Sequence, residues 1–556
     1  MYTIKIIGIF AKINYVLFLI YEDMILKKSE NANINYLAII SKITSVTPIE
    51  NSDRLSKTLL NGYNIIVQNT TKVGDIVVFF PQESCICEKF LSINNQYSIS
   101  DYERNANADE VNALIEASKN EVDVNKANEL MSEAKSKVGF FNKYGRVTML
   151  KLRGEYSFGF VMPISSMEKA FPELVGTNWE ELVGTEFNLV NDILFTWKYI
   201  PRVKKRESNK NSNGSRKHRR LQRKMVRFDR IIPEMFSRHY ETEQIEKSIR
   251  DIKPDDVITV SVKYHGTSGI FSNILCNRKL STWEKIKKFF GFKVVETEYG
   301  NVYSSRNVIK NQYINQNVNG GFYGKDQWGP VNNMLMPYIK EGMTIYGEIV
   351  GYVEGTEKPI QPKHDYGCEV GEWKFLPYRI SSALDDGTKF EWNVLEVDEW
   401  TKNFVKEHPE FSRNIIPFEI LYHGKFCDLY PDLDVNSETW YDDVLSRMKN
   451  EKRWLMEEKE PLCHRLDKAI SEKKKELETY KKNTSGYKKV KKELDDLIAD
   501  EAPREGVVIR VDNDIYPRAW KLKTIKHYEL AKKSHDKGEI DMEEMDGMDD
   551  ETNVDV

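Results

Sequence analysis

Cysteine is scarce in this chain: six residues in 556, at positions 85, 87, 276, 368, 427 and 463, with no CxxC pair among them. So few exclude a disulfide scaffold, argue against a zinc site and fit a reducing, intracellular compartment, cytoplasm or nucleus. An excess of one charge is missing too, since 82 Lys+Arg stand against 86 Asp+Glu, a net −4. If spread evenly, that balance would speak against a nucleic-acid partner. Hydrophobic residues make up only 40%, which leaves no room for a multi-span membrane protein, and no membrane partner is expected. Aromatic residues, at 11%, are plentiful enough to exclude a mostly disordered chain. At roughly 100–200 residues per domain, the length suggests two to four domains.

One N-terminal run, Met1 to Tyr21, is apolar enough to suggest a signal peptide. Lys5, Lys12 and Asn14 interrupt it and no small-residue cleavage site follows, so it reads as an upstream extension, residues 1–35, with Met24 a plausible start. From Tyr36 short strands alternate with turns: Tyr36–Ile43, Tyr63–Gln68, then VGDIVVFFP at Val73–Pro81. A helical stretch at 103–136 intervenes before strands resume at Arg146–Leu152 and Tyr156–Pro163. Several short strands with one helical excursion, over 36–165, fit an OB-like β-barrel, a binding module that often holds nucleic acid or serves only in domain packing.

Within a connector at 166–232, the composition shifts sharply. Residues 201–230 read PRVKKRESNKNSNGSRKHRRLQRKMVRFDR, with only Glu207 and Asp229 as acids. The central Asn, Ser and Gly mark a flexible linker, and its density of single-sign charge favours contact with phosphates. Net neutrality is therefore a cancellation, because the tail at 535–556 is strongly acidic and reads as disordered. Between them, 233–534 alternates β-rich runs with helices, an α+β domain. Inside it Pro461–Glu501 reads as an inserted helical hairpin: Leu466, Ile470 and Leu477 recur at helical spacing, Asn483–Gly486 breaks the run, and Val490, Leu494 and Ile498 resume it.

Four short runs in this domain carry the chemistry. They are VKYHGTSG, with Lys263, His265, Gly266, Thr267 and Ser268; TIYGEIVGY, around Glu348; EGVVIR, with Glu505; and WKLK, with Lys521 and Lys523 on one face of a strand. Each alone is weak, since a Lys before a Gly turn or a Glu at a strand end is usually a surface residue. Their order resembles the covalent nucleotidyltransferase superfamily of ATP-dependent ligases and mRNA capping enzymes. The HGT form, with IQPKHDYG after the Glu348 run, resembles phage-type RNA ligases more than DNA ligases. IENSDRL, VGDIVVFFP and LKLRGEYSFGF resemble the RNA-ligase branch that carries an N-terminal OB-like domain. The resemblance implies an OB-like barrel followed by a nucleotidyltransferase (ATP-grasp-like ligase) domain of antiparallel sheets and helices. It also implies ATP with Mg²⁺ or Mn²⁺ as cofactors, RNA (including nicks in RNA/DNA hybrids) as partner, and a monomer.

By that resemblance Lys263 attacks the α-phosphorus of ATP and carries AMP. A free lysine is protonated at pH 7, so the attack needs burial and neighbouring positive charge, such as Lys521, Lys523, Arg306 or a metal ion, to give a neutral amine. Lys521 and Lys523 would neutralise the α-phosphate region. Glu348 and Glu505 would hold the metal, or Glu348 a ribose hydroxyl instead. Arg306, in SSRN, is expected on ribose or the acceptor terminus. Tyr378, in KFLPYRI, is expected to stack on adenine, with Phe375 as the fallback. His265 would hydrogen-bond the nucleotide or a nearby carboxylate. The expected activity is ATP-dependent joining of 3′-OH and 5′-phosphate RNA ends; the alternatives are an mRNA guanylyltransferase and a catalytically silent RNA-binding relative.

Overall fold

The computed structural model describes residues 25–201, 228–239, 241–313, 325–454, 456, 459–482, 484–512 and 517–538. Most of the basic run, the apolar N-terminal stretch and the acidic tail beyond Gly538 lie outside the described residues. The chain divides into two compact units, Met1–Ile200 and Pro201–Val556.

In the first unit, strand Ile76–Pro81 pairs with Ala38–Lys42 on one side and Gly159–Pro163 on the other. Its unbroken apolar run reflects burial on both faces. Val78 and Phe80 enter a core with Ile40, Phe90 and Phe195, while Val77 and Phe79 enter another with Tyr63, Ile65 and Val67. The expected strand Tyr63–Gln68 forms with those bounds and pairs with Leu55–Leu60. The helical stretch at 103–136 becomes Ala108–Asn120 and Val124–Ser136, with Asp123 capping the second. Strands are shared among several small sheets, none closing on itself among the described residues, where a single barrel was expected. The unit also reaches beyond 36–165 at both ends. Leu26–Lys27 pairs with Leu189–Val190, Glu186–Phe187 with Ala38–Ile39, and Thr196–Lys198 with Ser84–Ile86. These strands of two or three residues are too short to show a period in the sequence.

The second unit is mixed α+β, built on two sheets. Its strands are β1 (Glu243–Gln244), β2 (Val257–Lys263), β3 (Thr267–Asn277), β4 (Thr297–Ser304), β5 (Met343–Gly351), β6 (Trp373–Ala383), β7 (Lys389–Glu391), β8 (Ile420–Lys425), β9 (Gly506–Val511) and β10 (Arg518–Lys523). One sheet has the order β1-β10-β9-β2-β8 and the other β4-β3-β5-β6-β7. All neighbours are antiparallel except β1 and β10. The first sheet packs Ile258, Val260, Val507, Ile509 and Leu522 against Trp440 and Trp454. The second is buried on both faces, Phe271, Ile345 and Ile349 on one and Ile270, Ile274 and Tyr346 on the other.

Four helices matter below: α1 (Thr282–Phe289), α2 (Asp467–Glu478), α3 (Ser485–Ala499) and α4 (Ile525–Asp536). The hairpin α2–α3 forms as expected, its break falling slightly earlier because Thr484 accepts from the Tyr487 N–H and caps α3, leaving Gly486 inside the helix. α4 continues through Asp536, so the first residues of the expected disordered tail are helical. No helix among the described residues is long and apolar enough to cross a membrane.

Candidate active site

Lys263 ends β2 and Thr267 begins β3, so Tyr264, His265 and Gly266 carry the chain from one sheet to the other. Close contact demands a glycine here: a Cβ on Gly266 would lie 2.3 Å from the Ile349 carbonyl oxygen. Its N–H donates to Glu348 Oε1 at 2.9 Å. Two further bonds pin the loop, His265 N–H to the Tyr366 hydroxyl and Gln361 Nε2 to the Gly266 carbonyl, each 2.7 Å. Burial, with Glu460 nearby, pushes Tyr366 well above its ordinary pKa, so it remains a phenol. Thr267 and Ser268 are buried, and the Ser268 carbonyl accepts from Trp328 Nε1 at 2.9 Å.

Strand register brings the lysines together. Lys263 is paired with Gly506, and Gly506 with Lys523, so the two lysines flank a residue without a side chain. Both reach Glu505, the residue before it: each Nζ lies 3.0 Å from Oε1. A Cβ on Gly506 would stand 2.0 Å from the Leu522 carbonyl oxygen, so only glycine lets the strands meet in this way. Burial alone would raise the Glu505 pKa, but Lys263, Lys523, His527 and His265 together hold it well below the ordinary carboxylate range. Thr524 fixes the neighbourhood, donating its N–H to the Glu505 carbonyl at 2.9 Å and its hydroxyl to the Arg504 carbonyl at 2.7 Å.

Thr524 Oγ1 also accepts the His527 N–H and caps α4, placing His527 in the first helical turn. His527 Nε2 lies 3.7 Å from Glu505 Oε1 and 3.4 Å from Lys523 Nζ. On the other side, His265 Nδ1 lies 3.8 Å from Glu505 Oε2. One ligand atom from each of His265, Glu505 and His527 falls within 4.8 Å of the others. Two buried atoms here, Glu505 Oε2 and His527 Nδ1, lack a hydrogen-bond partner. Burial, reinforced by Lys523, holds His527 well below its ordinary pKa, so its imidazole is neutral and able to ligate. These residues therefore fit a divalent cation. Glu348 does not join this group: Glu505 is gathered with two histidines rather than with the expected second carboxylate.

A second set of cations stands beside the first. Lys521, on the same face of β10 as Lys523, lies with Nζ 3.0 Å from Glu241 Oε1, and Arg306 pairs with the other oxygen of Glu241. Burial brings the Lys521 pKa down to about 8; Glu241 opposes the shift, while Lys523 and Lys263 add to it. Of the two aromatics expected near adenine, Phe375 is fully buried and meets Phe271 edge-on at 5.2 Å, so it has no face to offer. Tyr378 is partly exposed, its ring 6.0 Å from that of His239.

Sequence reasoning did not single out Glu241, Gln361, Tyr366 or His527. Signals existed for three of them: Gln361 and Tyr366 lie within the run IQPKHDYG, and Thr524 is a strong helix N-cap, which sets His527, three residues later, against the strand it follows.

No family model matches the chain, and no curated protein matches it. Among solved structures it is similar to those of the Naegleria gruberi RNA ligase. A mutant of that ligase with ATP and Mn gives 16% identity over 89% of this chain and 99% of the other, with a TM-score of 0.44. A mutant with AMP and Mn gives 16% over 89% and 99%, TM-score 0.43. The ligase with PPi gives 15% over 90% and 99%, TM-score 0.43.

Proposed function

We propose that this chain is an ATP-dependent RNA ligase that joins 3′-OH and 5′-phosphate ends through a lysyl-AMP intermediate on Lys263. The observation that carries the reading is the convergence of Lys263 and Lys523 on Glu505, with Lys521 and Arg306 sharing a second carboxylate beside them. Four cations around two carboxylates make a site in which phosphate oxygens can replace carboxylate oxygens. A binding module would have no use for a lysine placed at the sheet crossover among them.

In the proposed reaction Lys263 Nζ forms a bond to the α-phosphorus of ATP, and the bond from that phosphorus to the bridging oxygen breaks, releasing pyrophosphate. Nζ sheds its protons to water, since Glu505, held well below the carboxylate range, is a poor acceptor. Lys523, Lys521 and Arg306 stabilise charge on the phosphoryl oxygens without forming bonds to them. The Gly266 N–H fixes Glu348 at the loop, where its second oxygen can hold a ribose hydroxyl. AMP then passes to a 5′-phosphate end, and attack by a 3′-OH releases it and closes the strand. His265, Glu505 and His527 would hold Mg²⁺ or Mn²⁺, and the two imidazoles favour Mn²⁺. Such an ion supplies positive charge that offsets Glu505 and so frees the Lys263 amine to react. The choice of RNA rests on the HGT and IQPKHDYG runs; the 2′-OH is the group by which a ligase distinguishes an RNA end.

The test is incubation with α-labelled ATP or GTP and a divalent metal, followed by a denaturing gel. Covalent label from ATP that is lost in Lys263→Ala supports the proposal. Label from GTP alone would indicate a capping enzyme, and no label from either would reduce the protein to a binding module.

A further inference from the structure

The connection between β3 and β4 projects a feature that the catalytic unit does not use. It contains α1, capped by a reciprocal pair in which Ser281 accepts from the Glu284 N–H and the Glu284 carboxylate accepts from Ser281 N. At 100° per residue, Trp283, Ile286, Phe289 and Phe290 fall on one side of α1, and Glu284, Lys285, Lys287 and Lys288 on the other. Gly291 then reverses the chain at φ +80°, and Phe292 and Val295 follow. The exposures are unlike those of a packed helix: Trp283 74%, Phe289 84%, Phe290 69%, Phe292 66% and Val295 69%. None of these side chains enters a core cluster.

This segment is well tied at its base. Arg278 donates to the Val295 carbonyl at 2.7 Å and is paired with Glu284, its N–H donates to the Glu296 carbonyl at 2.8 Å, and Lys288 pairs with Glu296. Both acids of residues 278–296 are thus engaged locally. Lys279, Lys285, Lys287 and Lys293 have no carboxylate partner among the described residues. A small, firmly held scaffold therefore presents an exposed apolar face on α1, bordered by lysines that no carboxylate among the described residues pairs with, on a chain whose net charge is −4.

We infer that this projection docks on an anionic lipid surface. The apolar face enters the headgroup–acyl boundary and the lysines remain at headgroup level, the arrangement by which a basic amphipathic helix lies in a membrane interface. Charge complementarity selects an anionic surface, since each lysine near one contributes roughly a fivefold gain in affinity. The pattern suits hydrocarbon better than a nucleic-acid strand. Lysines flank the apolar face rather than alternate with the rings, and Ile286 and Val295 offer bases nothing to stack on. With eight residues, α1 lies on a bilayer and does not span one, so the absence of long apolar runs has no bearing on it. The inference is independent of the ligase reading.

Flotation of the full chain with phosphatidylcholine vesicles, with and without phosphatidylserine, tests it. The wild type should float with the phosphatidylserine vesicles, stay behind with the neutral ones, and be released at about 1 M salt, where the Debye length is about 3 Å. Phe289→Ser/Phe290→Ser and Lys285→Glu/Lys287→Glu should each weaken flotation roughly tenfold or more while melting like the wild type. No flotation with either vesicle, or flotation unchanged in both variants, would overturn the proposal. So would loss of single-stranded RNA binding in Phe289→Ser/Phe290→Ser without vesicle binding by the wild type, which would assign the face to nucleic acid. A fall in oligomeric state in that variant, again without vesicle binding, would assign it to a second copy of the chain.

Discussion

With Gly506 between them in register, Lys263 and Lys523 meet at one oxygen of Glu505, while Lys521, two residues from Lys523, is drawn to Glu241. The lysines and Glu505 were singled out in the sequence because the order of the runs that hold them resembles that of a known family, and the fold brings them together. Glu241 was not, because which carboxylate closes on a lysine is decided by the fold. Lys521 makes a measurable pH signature. Its pKa falls from 10.5 to about 8 on folding, so between those values the unfolded chain holds a proton that the folded chain has lost. Stability then rises with pH across that window, and below pH 8 the burial penalty is fully present. The shift converts to about 3 kcal/mol. Unfolding by urea at pH 7.5 and pH 10 should show this rise in the wild type relative to Lys521→Met, and parallel curves would contradict it.

At the scale of elements, the sequence marked strands where one long run is buried, as at Ile76–Pro81, and helices where the apolar period is sustained, as in α2 and α3. It did not reveal how strands are shared among sheets, because Leu26–Lys27 and Leu189–Val190 are held by pairing across the chain rather than by local pattern. The hairpin α2–α3 stands on a clamp also invisible to periodicity. The Glu460 N–H donates to the Ala502 carbonyl at 2.8 Å, and Glu460 and Arg504, both fully buried, are paired at 3.2 Å. Arg504 precedes Glu505, so the clamp also sets the start of β9. Arg504→Met, which leaves the Glu460 charge buried without its main partner, should cost about 3–5 kcal/mol. Arg504→Met/Glu460→Met should recover most of that loss in denaturant unfolding; a double variant no better than the single would remove the pair from the account.

For the whole molecule, near-neutrality hides segregation. Cations crowd residues 201–230 and acids crowd the tail, both largely outside the described residues, so net charge gave no guide to partners. If the proposed function holds, deleting 201–224 should flatten the dependence of RNA affinity on salt, since each phosphate contact contributes a slope of roughly 0.7 for a single strand, while leaving covalent labelling by ATP intact. An unchanged slope would make the run a spacer only. The sharing of Glu505 has a further consequence for the reactivity of Lys263. Lys263 keeps a quarter of its side chain open to solvent and so stays within reach of small solutes. Its Nζ is held 3.0 Å from a carboxylate oxygen that Lys523 shares, so an incoming electrophile would first have to displace an ion pair. The ion pair thus shields a solvent-reachable amine until another group takes its place on Glu505.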